Sequence, residues 1–258
     1  MFPVYFAIRI NKVPSKGGFW KLQPLLAGVE GAWTPDDGTY KIYKKYGREI
    51  AGNDVGYWFS FDTAEGEQVM VRTAVSAVDH KGALGNLRAE LPHWDFDRVR
   101  REARAAWNDV LSAVSVKPVA GGTDEFAPRD LCTQFYTALY HAHIAPSLFS
   151  DADGRYRGMD LQVHHGDAAT PDYTIFSLWD TFRALHPLYS IIAPEQNAAY
   201  LRCLLRKGHE GGMVPKWDCA ANYTGCMVGY HFASLCADAL AKGEKNFDVS
   251  AAYEACVK

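Results

Sequence analysis

In the stretch TIFSLWDTFRALHPL, Thr174 to Leu188, an indole, a carboxylate and a guanidinium stand close together as Trp179, Asp180 and Arg183. A carboxylate and a guanidinium can grip vicinal hydroxyls through charge-assisted hydrogen bonds, while an indole covers an apolar ring face. The same residues also fit a plainer role. Ser177 followed three positions later by Asp180 reads as a capping box, with Asp180 folded back onto the backbone of a helix. Asp180 and Arg183 are then an i,i+3 surface pair that contributes little.

Three further carboxylates, Asp160, Glu210 and Asp218, lie in or beside two Gly-rich loops, SDADGRYRGMDLQVHHGDAATPDY and KGHEGGMVPKWDCAANYTG. Loops of this size on a helical scaffold commonly carry function, and paired carboxylates there would suit glycoside hydrolysis. Nucleophilic catalysis has no support, because neither a GxSxG elbow nor a cysteine nucleophile signature occurs. Phosphate binding has none either, since GxGxxG and P-loop patterns are missing. His141 and His143, two apart on a helix, face different ways and do not share a metal. His164, His165 and Asp167 read as solvated loop residues, short of the three or four convergent ligands that zinc wants. GNDVG, Gly52 to Gly56, reads as a hairpin turn.

The elements that would position these groups fall into two halves. Up to about residue 92, short apolar runs cut by turn signals read as strands: VYFAIRI, GGFWKL, PDDGTYKIY, GNDVGYWFSF and EQVMVRTAVSAV. A β-sandwich, or part of one, is the natural class. At Trp94 the period changes. Phe96, Val99, Ala103, Ala106, Trp107, Val110 and Leu111 share one helical face and predict a linker helix, followed by one more strand at VSVKPV. Beyond it the periodicity is helical, with stripes at Leu131, Phe135, Ala138, Leu139 and Ala142, at Phe176, Trp179, Phe182 and Leu185, and at Tyr200, Leu201 and Leu204. A further helix is expected along Met227, Tyr230, His231, Ser234 and Asp238, ending near Gly243. Paired helices with alternating loops suit an α/α toroid.

The totals agree with a folded protein and narrow its partners. A formal charge of −3 provides no cationic field for nucleic acid or anionic lipid. The opening MFPVYFAIRI lacks a basic leader and is too short to span a membrane. Six cysteines, Cys132, Cys203, Cys219, Cys226, Cys236 and Cys256, lack any CxxC or zinc rhythm and read as buried thiols.

Four blocks, FYTALYHAHIAPSLFSDADGRYRGMD, YTIFSLWDTFRALHPL, GGMVPKW and CMVGYHFASLCADALAKGEKNFD, resemble glycoside hydrolase family 92, the calcium-dependent exo-α-mannosidases, in family order. YFAIRINKVPSKGGFW and VDHKGALGNLRAELPHWDFDRVRREARAAWNDVLSAVSV resemble the same family's N-terminal sandwich and linker helix. The resemblance implies an α+β chain: an incomplete β-sandwich over residues 1–92, a linker helix and strand over 93–120, and roughly half of an (α/α)6 toroid over 121–258. It implies removal of terminal α-mannose from glycans with inversion, helped by Ca²⁺, outside the cytoplasm. Trp179, Asp180 and Arg183 occupy its WDTFR positions, which line the subsite for the terminal mannose, and Trp217 is a further stacking residue. His186 belongs to the same block as a structural or supporting residue. The family's general acid lies in a NEPS-type motif and its base in a GNDDxGQ-type motif, and neither occurs here. Both are expected beyond Lys258, with the rest of the toroid and much of the calcium site, so that the chain alone would be inactive. The rival reading is a non-catalytic carbohydrate-binding or scaffold module made from half an enzyme. A polysaccharide lyase on an α/α toroid would want a basic groove, which the charge disfavours.

Overall fold

A computed structural model describes residues 3–23, 39–43, 54–117, 128–166 and 170–257. They fall into two compact units, Arg9–Arg72 on the one hand and Met1–Ile8 with Thr73–Lys258 on the other. In the Arg9–Arg72 unit, β2 (Lys16–Gln23) lies between β3 (Thr39–Tyr43) and β4 (Val55–Ser60) in an antiparallel sheet. Trp20 pairs with Gly56, where a Cβ would stand only 2.3 Å from the indole, so the glycine makes room for the ring. Phe19 is buried, and its ring lies 4.0 Å from that of Tyr57 on the neighbouring strand. β1 (Tyr5–Ile10) pairs with β5 (Val71–Ser76), so each strand read from the sequence before residue 78 is present. Gly52 and Asn53 of the expected hairpin turn lie outside the described residues; Asp54 follows with a left-handed φ of 53°.

The second unit begins with a correction. Residues read as the end of a strand-rich half form α1 (His80–Glu90). Asp79 caps it by accepting from the Gly82 N–H at 2.6 Å, and its carboxylate also pairs with Arg155. The Arg155 guanidinium first, and the Gly82 N–H second, hold the Asp79 carboxyl down to about 2. The cap's contribution is therefore complete above the usual 3.8 and is lost only as the pH falls through about 2. Gly82 faces a buried polar knot in which Asp151 accepts from Ser76 Oγ at 2.7 Å and from Asn86 Nδ2 at 2.8 Å. A Cβ on Gly82 would lie 2.0 Å from Asp151 Oδ2. Alanine there gains about 1 kcal/mol in helix propensity. Displacing the knot costs more, because overpacking and the broken hydrogen bonds each cost about 1–3 kcal/mol. Gly82→Ala is expected to lower stability by about 1–3 kcal/mol net in urea denaturation, against the direction of propensity alone.

α2 (Phe96–Leu111) is the expected linker helix, capped by Asp95, yet none of its residues is buried. Trp107 meets Tyr140 edge-on at 4.4 Å, while Phe96 is 71 % exposed. The strand expected at VSVKPV does not form over residues 114–117. The Tyr136 hydroxyl takes those backbone groups, accepting from Val116 N–H and donating to the Val114 carbonyl. Pro118 and Val119 lie outside the described residues. In α3 (Pro128–Ala142) only Leu139 of the predicted stripe is buried, with Leu131 and Phe135 exposed.

A second correction concerns Phe176 to Leu185, which is not one helix. α4 (Leu178–Thr181) is a single turn, residues 182–184 break it, and α5 (Leu185–Ile192) starts afresh. Pro187 explains the break. In a continuous helix its ring would meet the Arg183 carbonyl and it would lack an N–H to donate there, whereas in the first turn of α5 neither matters. The stripe dissolves accordingly: Phe176 is buried and Trp179 is 40 % exposed. A third correction places Met227, Tyr230 and His231 ahead of α7 (Phe232–Ala241), because Gly225, Met227 and Gly229 all have left-handed φ. Gly243, with φ 90°, follows α7 as expected. α8 (Val249–Val257) is the last element.

α6 (Pro194–Gly211) holds the unit together. Pro194 stands in its first turn, where no N–H is needed, and Gly212 closes it with φ 78°. Leu201 and Leu204 are fully buried among Phe176, Leu178, Tyr189, Phe232 and Leu235.

Candidate functional site

One face of α6 is buried and polar. Cys203, Arg206, Lys207 and Glu210 follow the i, i+3, i+4, i+7 rhythm; the first three converge on residues 171–173, and Glu210 holds residues 156–159. Arg206 Nη2 reaches Asp172 Oδ1 at 2.9 Å and the Pro171 carbonyl at 3.0 Å. Lys207 Nζ lies 3.1 Å from Asp172 Oδ2 and 3.3 Å from Asp218 Oδ2. Glu210 accepts from Tyr156 Oη at 2.7 Å and from the Met159 N–H at 3.1 Å. Lys207, Asp172 and Asp218 are all at most 1 % exposed. Burial opposes the Lys207 ammonium, but Asp172 foremost and Asp218 outweigh it and hold it charged. Burial also pushes the Asp218 carboxyl above the usual carboxylate range, against the pull of Lys207.

Asp218 positions the stretch that opened the sequence reading. Its Oδ1 accepts from the Phe176 N–H at 2.9 Å and its Oδ2 from Thr174 Oγ1 at 3.0 Å. Directly after it, Ser177 bridges to Trp217 in antiparallel fashion, and the Leu178 N–H donates to the Lys216 carbonyl at 2.9 Å. Trp217 is thereby fixed beside the α4 turn, its own carbonyl accepting from Thr224 N and Oγ1. The expected capping box is not made. Ser177 Oγ donates to Asp180 Oδ2 at 2.6 Å, side chain to side chain, and makes no backbone cap. That leaves Asp180 on the exposed side of the turn with Trp179 and Arg183. Arg183 stacks between rings, 4.9 Å from the centroid of Trp179 and 5.3 Å from that of Phe182, and donates to the Trp179 carbonyl at 3.2 Å. Phe182 in turn lies flat on His231, 4.0 Å between centroids. The result is an exposed wall with an indole, a carboxylate and a guanidinium, and the backbone of Trp217 is bridged to its base at Ser177.

The structure thus brings together Trp179, Asp180, Arg183 and Trp217, and sorts the other carboxylates into local roles. Asp160 pairs with His164 at 3.0 Å, Glu210 braces the hairpin of Arg155–Arg157 and Val163–His165, and Asp218 is buried beneath the wall. His186 is buried too, its Nδ1 2.9 Å from Asn197 Oδ1, and burial lowers its pKa. His165 stands exposed, and Asp167 lies outside the described residues. Among the described residues no group of three or more His, Cys, Asp or Glu side chains converges to hold a metal ion. No described helix is long and apolar enough to cross a membrane. The sequence reading missed Lys207 and Asp172; the available signal was a basic pair, Arg206 and Lys207, following the apolar run Cys203–Leu204–Leu205.

Residues 82–258 match the model of the glycosyl hydrolase family 92 catalytic domain. An α-mannosidase of that family from Bacteroides thetaiotaomicron superposes with a TM-score of 0.76 at 32 % identity, covering 98 % of this chain and 31 % of its own. An inverting mannosidase of the same family from Bacteroides thetaiotaomicron VPI-5482 superposes with a TM-score of 0.80 at 27 % identity, with 98 % and 31 % covered. An uncharacterized secreted glycosidase of Arthroderma benhamiae is 26 % identical over 194 residues, 74 % of this chain and 20 % of that protein. The chain therefore spans less than a third of the length of these relatives.

Proposed function

This chain belongs to glycosyl hydrolase family 92, and from that premise we propose that its exposed wall holds the terminal mannose of a glycan in an inverting α-mannosidase. The observation that supports this reading most is the convergence of Trp179, Asp180 and Arg183 on one solvent-facing turn, with Trp217 bridged to its base. The Asp180 carboxylate accepts from sugar hydroxyls and the Arg183 guanidinium donates to them. The Trp179 indole covers the apolar face of the ring, and Trp217 flanks it. Inversion requires a general acid and a general base about 6.5–9.5 Å apart, with a water between the base and the anomeric carbon. Neither family motif for that pair occurs within the 258 residues, so on this reading both come from outside them. Among the described residues no cluster of His, Cys, Asp or Glu side chains converges to hold calcium.

The same premise carries the architecture. We read β1–β5 as part of an N-terminal sandwich, α2 as the linker and α3–α8 as part of an (α/α)6 toroid, with boundaries near 92 and 120. The secreted relative supports an extracytoplasmic place of work.

The test is hydrolysis of an aryl α-mannoside. The complete enzyme is expected to release β-mannose as first product, seen by NMR. The 258-residue chain by itself is expected to show no turnover above background, with or without calcium, because protonation of the leaving group and activation of water are both lost. Turnover by the purified chain that disappears on mutating one of its carboxylates would overturn the placing of the acid and base. Retention of configuration in the complete enzyme would overturn the mechanism.

A further inference from the structure

We propose that Asp218, anchored by Lys207, is a positioning residue that clamps Ile175 in a left-handed conformation and thereby sets how Trp179 and Asp180 face the sugar. Ile175 has φ 65°. For a β-branched residue this region is strongly disfavoured, and it persists only where the surroundings over-determine it. Besides the pairing of Thr174 with Ser147, both sides of Ile175 are reached by one carboxylate. Both neighbours of Ile175 are tied to it, Thr174 through Oγ1 at 3.0 Å and Phe176 through its N–H at 2.9 Å, and the Asp218 N–H returns to the Phe176 carbonyl at 3.3 Å. The carboxylate cannot drift, because Lys207 Nζ at 3.3 Å is itself held by Asp172. The α4 turn begins two residues beyond Phe176, with Ser177 already bridged to Trp217. A change of φ at Ile175 redirects the chain where it enters that bridge, and the turn that follows at once carries the side chains of the wall. The part of the inference that concerns sugar rests on the function proposed above; the clamp itself does not.

A cluster that only stabilised the fold would have a different signature from a clamp. Asp218→Asn keeps the volume and removes the charge, leaving one carbonyl oxygen for three donors, Thr174 Oγ1, the Phe176 N–H and Lys207 Nζ. In the complete enzyme it is expected to raise KM for an aryl α-mannoside about tenfold, the size of a lost contact to a charged group, with a smaller effect on kcat. Adding Ile175→Gly is expected to bring KM back to within about threefold of wild type, since glycine adopts positive φ without steric cost. Amide exchange at Leu178, Thr181 and Phe182 gives a readout that needs no substrate. It is expected to speed up in Asp218→Asn and to slow again in the double variant. If Asp218→Asn fails to fold, Thr174→Val removes a single tie and is expected to move KM and exchange in the same direction, less far.

A lowered melting temperature with unchanged KM and unchanged exchange at those amides would overturn the clamp. So would a KM increase that Ile175→Gly leaves in place. If exchange responds as expected but the wild-type enzyme ignores α-mannosides, the clamp stands and the sugar reading falls.

Discussion

Replacing Lys207 by methionine is expected to cost the fold about 3–5 kcal/mol, the range for breaking a buried ion pair by removing one partner. Lys207 is 1 % exposed and faces two carboxylates, Asp172 and Asp218, neither more than 1 % exposed. Asp172 keeps Arg206 at 2.9 Å, but no second cation among the described residues lies against Asp218, which is left with Thr174 Oγ1 and the Phe176 N–H. A buried carboxylate in that position must either stay charged without a counter-ion or take up a proton. Burial already holds Asp218 above its ordinary 3.8, and loss of Lys207 raises it further. With the folded value above the unfolded one, the folded state binds the extra proton, so the deficit is complete above the folded pKa and shrinks as the pH falls toward 3.8. Urea denaturation of wild type and Lys207→Met at several pH values checks both the size and the slope. A loss below about 1 kcal/mol at neutral pH would mean that water reaches the cluster, since exposed ion pairs are of that order.

Asp180→Ala and Arg183→Ala in the complete enzyme are each expected to lower kcat/KM for an α-mannoside by about 10- to 100-fold, equivalent to about 1.5–3 kcal/mol per contact to a charged group. Stability should barely change. Asp180 lies on the exposed side of the turn, bonded to Ser177 Oγ, and Arg183 contributes a cation–π contact to an exposed ring. Surface substitutions of this kind stay within about 0.5 kcal/mol. Two classes of charge are thus contrasted: Asp180 and Arg183 face solvent, whereas Lys207, Asp172 and Asp218 are buried against one another and hold the fold. Equal loss of stability and activity in Asp180→Ala would place Asp180 in the second class.

What could be read in advance follows from how far apart the interacting groups lie in the chain. Strands β1–β5 were legible because turn residues cut them into short apolar runs. α2 was legible from its period, although its stripe remains largely in solvent. α1 was hidden by Gly82 and Gly85, which lower local helix propensity; its Asp79 cap was the signal that remained. The break before α5 was written in Pro187, but the apolar rhythm from Phe176 to Leu185 obscured it.

For the site, residue types and spacing raised Trp179, Asp180 and Arg183, and the local turn indeed gathers them. The roles of Asp218 and Glu210 were not legible. As carboxylates in or beside loops they look the same as Asp180, and only partners distant in sequence, Lys207 on α6 for Asp218 and Tyr156 for Glu210, turn them into supports. Lys207 was missed for the same reason: a lysine at the end of an apolar run looks like a solvated edge until Asp172 and Asp218 fold over it.

The most direct test of the central claim is the affinity of the complete enzyme and its Asp180→Ala variant for mannoimidazole, the compound in complex with one of the similar family 92 α-mannosidases. Titration calorimetry reads binding without depending on the acid, the base or the rate of any step. Tight binding by the wild type is expected, with a dissociation constant about 10- to 100-fold weaker in Asp180→Ala and an unchanged melting temperature. Equal affinity in the two proteins would contradict it, because the wall around Asp180 would then not be where the sugar is held.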